Sequence, residues 1–205
     1  MIKSLDDLQL KKGQRAIIVG RAGTGKSTLG KTLIPLTGKL CIIDPKREVN
    51  FPNCKIYDSA DKILREKPKR FIYRPHESQF EDYAEYDKVF HYVYKSGDFF
   101  IFIDDLVAIV TATRFPYNLK MCYMLGRSKG ITALACTQRP AFLPGYMITE
   151  CNNMYVFDLH NERDRKKMND IGPYDPKKIT DEHTFAFFSC SNDRTYYLKL
   201  KLEGM

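Results

Sequence analysis

Residues 20–27 read Gly-Arg-Ala-Gly-Thr-Gly-Lys-Ser, and this stretch decides the fold. It has the spacing G-x-x-x-x-G-K-[ST] of a phosphate-binding loop, or P-loop. An apolar run from Arg15 to Val19 precedes it, and a helical pattern from Lys26 to Leu33, stopped by Pro35, follows it. Because a strand, a glycine-rich turn and a helix occur in this order, a chance glycine-rich loop is a poor alternative.

The residue types of the loop indicate a nucleotide site. Gly20, Gly23 and Gly25 let the backbone curl so that its N–H groups point at phosphate oxygens. Lys26 brings a positive charge to the β- and γ-phosphates, and the Ser27 hydroxyl can ligate Mg²⁺. We therefore predict that the chain binds ATP and Mg²⁺. The predicted ATP-binding residues are Gly20, Arg21, Ala22, Gly23, Thr24, Gly25, Lys26, Ser27 and Thr28.

A second apolar run, Phe99 to Ile103, ends in two aspartates. A carboxylate at the end of a central strand can hold Mg²⁺ through water, and we predict that role for Asp104. Asp105 is then placed to orient or deprotonate the attacking water. For both residues the alternative is a helix N-cap or a turn position, which the sequence leaves open.

Strands and helices alternate along most of the remaining chain. Apolar runs predict strands at 40–43, 55–57, 70–73, 131–136 and 154–157, and helices are predicted at 60–66, 119–127 and 162–171. The runs 185–189 and 196–202 predict an antiparallel edge pair with a turn near Asn192 and Asp193. This order predicts an α/β P-loop NTPase fold over residues 1–205 as a single ATPase domain. Its sheet is expected to be mostly parallel and doubly wound, with antiparallel C-terminal strands.

The segment from residue 78 to residue 97 predicts a long amphipathic helix. Ser78 and Glu81 have the spacing of a capping box at its start, and Gly97 marks its end. We predict a stripe on one helix face whose aromatic members belong to the core. The stripe comprises Phe80, Tyr83, Asp87, Phe90 and Tyr94.

Composition restricts the classes of function. The 205 residues are 28% charged and 43% hydrophobic, which is enough apolar material for a core and excludes wholesale disorder. A net charge of +8 favours a polyanionic partner, although a lysine-rich surface without a partner has the same charge. The six cysteines lack C-x-x-C spacing and are interpreted as reduced core residues. A charged start and the lack of an apolar run of about 20 residues predict a soluble protein without signal peptide or transmembrane segment.

Four separated motifs together resemble a known superfamily. They are GRAGTGKST (20–28), IIDPKREV (42–49), IFIDD (101–105) and GRSKGITALACTQRP (126–140). In this combination the chain resembles the FtsK–HerA superfamily of DNA-pumping ATPases, which have a RecA-like sheet, over residues 15–160. Its small size and strand-forming end are most similar to the genome-packaging ATPases of small icosahedral, membrane-containing viruses.

The resemblance implies an ATP-driven translocase of double-stranded DNA. Such a protein acts as a homo-oligomeric ring, a pentamer or hexamer, at a capsid vertex or portal-like component, in the host cytoplasm or on the virion. Gln138 resembles the residue that senses the γ-phosphate. Arg127 resembles an arginine finger that acts on the neighbouring subunit, with Arg114 and Arg139 as rivals and a surface salt bridge as the alternative. Many members carry Glu in place of Asp105, whose shorter side chain reaches less far towards water.

Other functions share parts of this pattern. A small-molecule P-loop kinase shares the loop and the size, but it should also carry an arginine-bearing lid and an acceptor pocket. A conjugation or extrusion ATPase usually adds transmembrane segments or large insertions, and a binding module without turnover has less need of paired carboxylates. The basic stretches 112–130 and 162–178 are candidates for the lining of a DNA channel, or they are solvated helix faces.

Overall fold

A nine-stranded sheet organises the computed structural model, which describes residues 5–172, 174–190 and 194–200. The strands are β1 (Arg15–Val19), β2 (Lys39–Ile43), β3 (Lys55–Tyr57), β4 (Arg70–Tyr73), β5 (Phe99–Ile103), β6 (Thr132–Thr137), β7 (Asn153–Val156), β8 (Thr184–Ser189) and β9 (Arg194–Lys199). The α-helices are α1 (Lys26–Leu33), α2 (Ala60–Glu66), α3 (Tyr83–Ser96), α4 (Tyr117–Leu125), α5 (Gly145–Thr149) and α6 (Glu162–Asn169). The predicted turn at Asn192 and Asp193 lies outside the described residues.

The order of strands places the P-loop strand inside the sheet. Neighbouring strands follow the order β3-β4-β2-β5-β6-β1-β7-β8-β9. The strands from β3 to β7 in this order are parallel, whereas β8 pairs antiparallel with both β7 and β9. The predicted mostly parallel sheet with antiparallel C-terminal strands is therefore confirmed. We call the side where the parallel strands end the carboxyl edge, and the side where they begin the amino edge.

Both faces of the sheet are covered, although unevenly. Successive side chains of a strand point to opposite faces, so Ile17 and Ile101 belong to one apolar layer and Ile18 and Phe102 to the other. The first layer packs against α2, α3, α4, α5 and α6, while α1 alone of the described α-helices packs against the second. Strands buried on both faces are apolar along their whole length, which explains the continuous runs in the sequence.

The long helix begins later than the sequence predicted. α3 starts at Tyr83, where the Asp82 carboxylate accepts hydrogen bonds from the first backbone N–H groups of the helix. The predicted capping box at Ser78 and Glu81 is wrong, because Ser78 lies in a separate 3-10 turn that ends before the helix. Aspartate and serine cap a helix by the same hydrogen bond, so the two positions compete in sequence and the later one is used.

The later start also changes the buried stripe of α3. Phe80 precedes the helix and is 37% exposed. Of the predicted stripe only Phe90 is buried, whereas Tyr83, Asp87 and Tyr94 are partly exposed. The helical period was predicted correctly, but the face of the helix that was assigned to the core was wrong. The buried side chains of α3 are Glu85, Tyr86, Val89, Phe90 and Val93.

Most cysteines of the chain lie in the core. Four of the six cysteines are buried and form no disulfide, in agreement with core thiols: Cys41, Cys122, Cys136 and Cys151. The prediction of a core position is wrong for Cys54, which is partly exposed, and for Cys190, which is exposed. Within the described ranges, no helix has the length and apolar character needed to cross a membrane.

Candidate nucleotide-binding site

The loop between β1 and α1 is shaped by two glycines. A Cβ on Gly20 would lie 2.6 Å from Phe157 Cβ and 2.8 Å from Thr24 Oγ1, so a larger residue does not fit. Gly25 has a φ of 91° at the N-cap of α1, in the left-handed region that glycine adopts readily. No side chain caps the helix there. The first N–H groups of α1 therefore stay available to an anion at the N-terminus of the helix.

A cavity of about 250 Å³ opens at this loop. Four segments line it: the P-loop, the turn after β2, and the ends of β5 and β6. The lining residues are Ala22, Gly23, Lys26, Ser27, Lys46, Glu48, Asp104, Asp105, Cys136, Thr137 and Gln138. The structure thus brings the predicted lysine, serine, aspartates and glutamine to one place at the carboxyl edge.

Three other residues of the predicted ATP-binding set, Arg21, Thr24 and Thr28, do not line this cavity. Thr24 is buried, and its hydroxyl donates to the Arg21 carbonyl at 2.9 Å. Arg21 forms an ion pair with Asp158 at 2.9 Å and lines an adjoining cavity of about 190 Å³. Thr28 is exposed on the first turn of α1. Their direct contact with a nucleotide stays a prediction.

Lys26 is folded back onto its own loop. Its Nζ donates to the Arg21 carbonyl at 2.7 Å, and the residue is only 8% exposed. Burial lowers the pKa of Lys26, and the nearby carboxylates of Asp104 and Asp105 oppose that decrease. A phosphate oxygen is an anionic acceptor and binds an ammonium group more strongly than a neutral carbonyl does. The side chain is therefore placed to exchange the carbonyl for a phosphate.

Ser27 and Asp104 meet as the predicted metal pair. The Ser27 hydroxyl donates to Asp104 Oδ1 at 2.8 Å. Asp104 is 2% exposed, and burial raises the pKa of its carboxyl group while the bond from Ser27 opposes the increase. A cation would offset the cost of burying this carboxylate, and hydroxyl and carboxylate oxygens are ligands that Mg²⁺ accepts. The two side chains fit a magnesium ion.

Asp105 does not cap a helix with its side chain. It precedes the 3-10 turn Leu106–Ala108 with a φ of 73°, and its carboxylate makes no capping hydrogen bond. A positive φ is uncommon for a residue with a Cβ and costs about 1–3 kcal/mol. Its Oδ2 pairs with Lys46 Nζ at the cavity, while its buried Oδ1 has no hydrogen-bond partner among the described residues. Asp105 thus occupies the turn position that was one of its alternatives, but its side chain does not act as a cap.

Lys46 and Glu48 line the cavity, although no role was predicted for them. The turn that carries them is anchored by Asp44, which is fully buried. The Asp44 carboxylate accepts hydrogen bonds from the backbone N–H groups of Glu48 and Val49, both at 3.0 Å, and from Arg74 Nε at 2.8 Å. The available signal was a group of charged residues directly after a buried strand, where ligands of α/β sheets bind.

Gln138 follows β6 and lines both cavities. Since β6 lies between β1 and β5, its end is next to both the strand that leads into the P-loop and the strand that ends in the two aspartates. The Gln138 side chain therefore lies where a γ-phosphate sensor is expected, and its role as a sensor stays a prediction. The adjoining cavity is lined by Arg21, Gln138, Arg139, Leu159, His160, Asn161 and Asp164.

The three candidate arginine fingers have different surroundings. Arg139 donates to buried Asp164 at 3.0 Å, and Arg114 lies 4.2 Å above the ring of Tyr83. Arg127 is exposed in the 3-10 turn Gly126–Lys129, and its guanidinium has no ion pair or hydrogen bond in the described part of the chain.

Arg127 lies at the amino edge, just before β6, whereas the cavity lies where β6 ends. The six residues of β6 span roughly 20 Å at about 3.3 Å per residue. An arginine side chain does not cover that distance, so Arg127 cannot reach the cavity of its own chain.

The sequence of this chain is similar to that of a known packaging ATPase. No family model matches the sequence. The chain is 26% identical over 177 residues to the DNA packaging ATPase P9 of Enterobacteria phage PRD1, covering 81% of this chain and 73% of that protein. The chain is a homologue of this phage ATPase. The predicted relationship to viral genome-packaging ATPases is confirmed.

Solved structures of viral packaging NTPases are similar to this chain in fold. The genome packaging NTPase B204 from Sulfolobus turreted icosahedral virus 2, in complex with sulfate, gives a TM-score of 0.77 at 15% identity, covering 95% of this chain and 100% of that chain. The same protein in complex with ATP-γS gives a TM-score of 0.72 at 14% identity, covering 94% and 100%. Identities this low show the shared fold alone, and the predicted P-loop NTPase fold is confirmed.

Proposed function

We propose that this chain hydrolyses ATP to move double-stranded DNA into a preformed viral capsid. The ATPase class is supported by its homologue, a DNA packaging ATPase. One observation carries the proposal: Lys26, Ser27, Asp104, Asp105 and Gln138 surround a single cavity at the carboxyl edge. In this proposal residues 1–205 act as one ATPase domain.

The proposed reaction uses these groups in distinct roles. The loop N–H groups and Lys26 bind the β- and γ-phosphates, and Ser27 and Asp104 hold Mg²⁺, which when bound neutralises charge on the phosphate oxygens. Water attacks the γ-phosphorus, Asp105 accepts the proton of that water, and ADP leaves with the bridging oxygen. Gln138 orients the water against the γ-phosphate. The carboxylate–amide arrangement favours hydrolysis over transfer to a small-molecule acceptor.

We further propose that Arg127 of a neighbouring subunit completes the site in a ring of five or six copies. Arg127 supports this arrangement, because its guanidinium has no partner among residues 5–172, 174–190 and 194–200 of its own chain. Three large apolar side chains are exposed on the adjacent α4: Tyr117 (63%), Met124 (46%) and Leu125 (50%). Their spacing places them on one side of the helix, so α4 offers an apolar surface beside the arginine.

Double-stranded DNA and a capsid vertex or portal-like component are the partners in this proposal. The net charge of +8 supports binding to a phosphate backbone without reading bases. Exposed cations on and after α6 are candidates for DNA contacts: Arg163, Lys166, Lys177 and Lys178. The proposed reaction takes place in the host cytoplasm or on the assembling virion.

The rate of ATP hydrolysis with and without duplex DNA tests this function. We expect DNA to accelerate the wild type, with an effect that decreases as salt rises. Asp105→Asn should bind ATP normally and hydrolyse it about 100- to 1,000-fold more slowly, because the proton acceptor is lost. Asp61→Asn, which changes an exposed carboxylate on α2, is the matched control. A rate that DNA leaves unchanged would contradict translocation and leave ATP hydrolysis intact.

A further inference from the structure

Lys46 is the second lysine of the cavity, and the proposed reaction gives it no role. It reaches the cavity from the turn after β2, whereas Lys26 reaches it from the P-loop. Its Nζ pairs with Asp105 Oδ2. The Lys46 side chain is 36% exposed and that of Asp105 only 12%, so the ammonium group covers the carboxylate from the solvent side.

An exchange of partners by Lys46 involves its side chain alone. The backbone of its turn is held by buried Asp44, which bonds the N–H groups of Glu48 and Val49 with its carboxylate and that of Arg47 with its carbonyl. A lysine has a flexible four-carbon stem and three rotatable donors, so its charge can shift by several ångströms above a fixed turn. The ion pair with Asp105 can therefore be exchanged without refolding the site.

The balance of charge changes when a nucleotide enters. Three carboxylates line the cavity, those of Glu48, Asp104 and Asp105, against the ammonium groups of Lys26 and Lys46. Burial acts to lower the pKa of Lys46, but the hydrogen bond and charge of Asp105 outweigh it and raise the pKa, so the side chain stays charged. A terminal phosphate carries more charge than one carboxylate and offers three acceptor oxygens.

We propose that Lys46 is a γ-phosphate ligand that exchanges partners. In the empty site its ammonium group holds Asp105; when ATP binds, it moves to the terminal phosphate and releases the carboxylate to the attacking water. This inference rests on the proposed ATP hydrolysis and adds a second phosphate-binding lysine to it. ADP lacks the new acceptor, so Lys46 also makes the site prefer ATP over ADP.

Nucleotide affinity tests the role of Lys46 without DNA and without turnover. We would measure dissociation constants for ATP-γS and ADP with Mg²⁺ by titration calorimetry. In Lys46→Ala the affinity for ATP-γS should fall about 10- to 100-fold, as expected for one charged hydrogen bond, while that for ADP changes less than about twofold. Lys46→Arg should keep part of the preference for ATP-γS over ADP. Lys62→Ala, at an exposed lysine paired with Asp58, should change neither constant.

A second pair of variants separates phosphate binding from mere neutralisation of Asp105. If Lys46 only neutralised that carboxylate, Lys46→Ala would not change the affinity for ATP-γS relative to ADP in an Asp105→Asn background. We expect the same loss of preference for ATP-γS in both backgrounds. An unchanged ratio of the two constants in Lys46→Ala, or a loss that vanishes in the Asp105→Asn background, overturns the inference. Failure of the wild type to bind ATP-γS would instead overturn the proposed ATPase itself.

Discussion

The carboxyl edge and the α4 segment, residues 117–129, differ in whether their polar side chains have bonding partners within the described chain. At the carboxyl edge the functional groups bond to one another within the chain, as in the pairs Ser27–Asp104 and Lys46–Asp105. In the α4 segment Arg127 is exposed and has no partner in the described part of the chain, next to exposed Leu125. In the proposed function, the groups of one copy hold the nucleotide, whereas turnover depends on Arg127 of a second copy.

Loss of Arg127 should give the largest effect. We expect Arg127→Ala to lower turnover about 1,000-fold, because a transition-state charge is left unbalanced, and to leave ATP affinity within about twofold. Mixing Arg127→Ala with Lys26→Ala should restore activity, since each variant supplies what the other lacks. Steady-state ATPase assays of the separate and mixed proteins measure this.

Lys129→Ala is the matched control for the arginine. The Lys129 Nζ lies 4.8 Å from the centre of the Tyr94 ring in its own chain, so its loss should spare turnover. Full activity of Arg127→Ala alone, or inactive mixtures of two folded variants, would remove the contrast between the two regions.

Substitution within the ion-paired network of the carboxyl edge should lower the stability of the fold. Arg74→Ala leaves fully buried Asp44 without its cation, and we expect the free energy of unfolding to fall by about 3 kcal/mol. Urea unfolding followed by circular dichroism measures the change. Arg65→Ala, at an exposed position on α2, should stay within about 0.5 kcal/mol of the wild type. An equal change in both variants would mean that the Asp44 network does not support the turn of Lys46.

The apolar surface of α4 should give the smallest effect. Leu125→Ser, at a side chain that is 50% exposed, should leave folding intact and weaken self-association about tenfold. Sedimentation velocity over a range of protein concentrations measures the association. Leu36→Ser, at a side chain that is 73% exposed away from α4, is the control. Association that responds equally to both substitutions would place the interface elsewhere.

Prediction from sequence succeeded where a local pattern determines geometry. The P-loop spacing fixes its own turn, and β5 was recognised because a strand buried on both faces is continuously apolar. The start of α3 was missed because Ser78 and Asp82 are both good caps, and only packing chooses between them. The wrong start led in turn to a wrong assignment of the buried face of α3.

The remaining parts of the candidate site depend on contacts between distant segments. Lys46 approaches Asp105 because β2 pairs with β5, an adjacency that the chain order does not reveal. The positive φ of Asp105 is likewise a property of the folded turn, since its sequence neighbours are ordinary apolar residues and another aspartate. The arginine finger stays a prediction, because its proposed partner is another copy.

Gln138 borders two cavities, and in the proposed reaction its side chain connects them. If the Gln138 amide rotates to bond the γ-phosphate, it leaves the adjoining cavity. In that cavity Arg139 contacts Asp164 at the first turn of α6. Release of that phosphate allows the reverse rotation. In the proposed reaction, hydrolysis and the position of α6 are then linked through the side chain of this one residue.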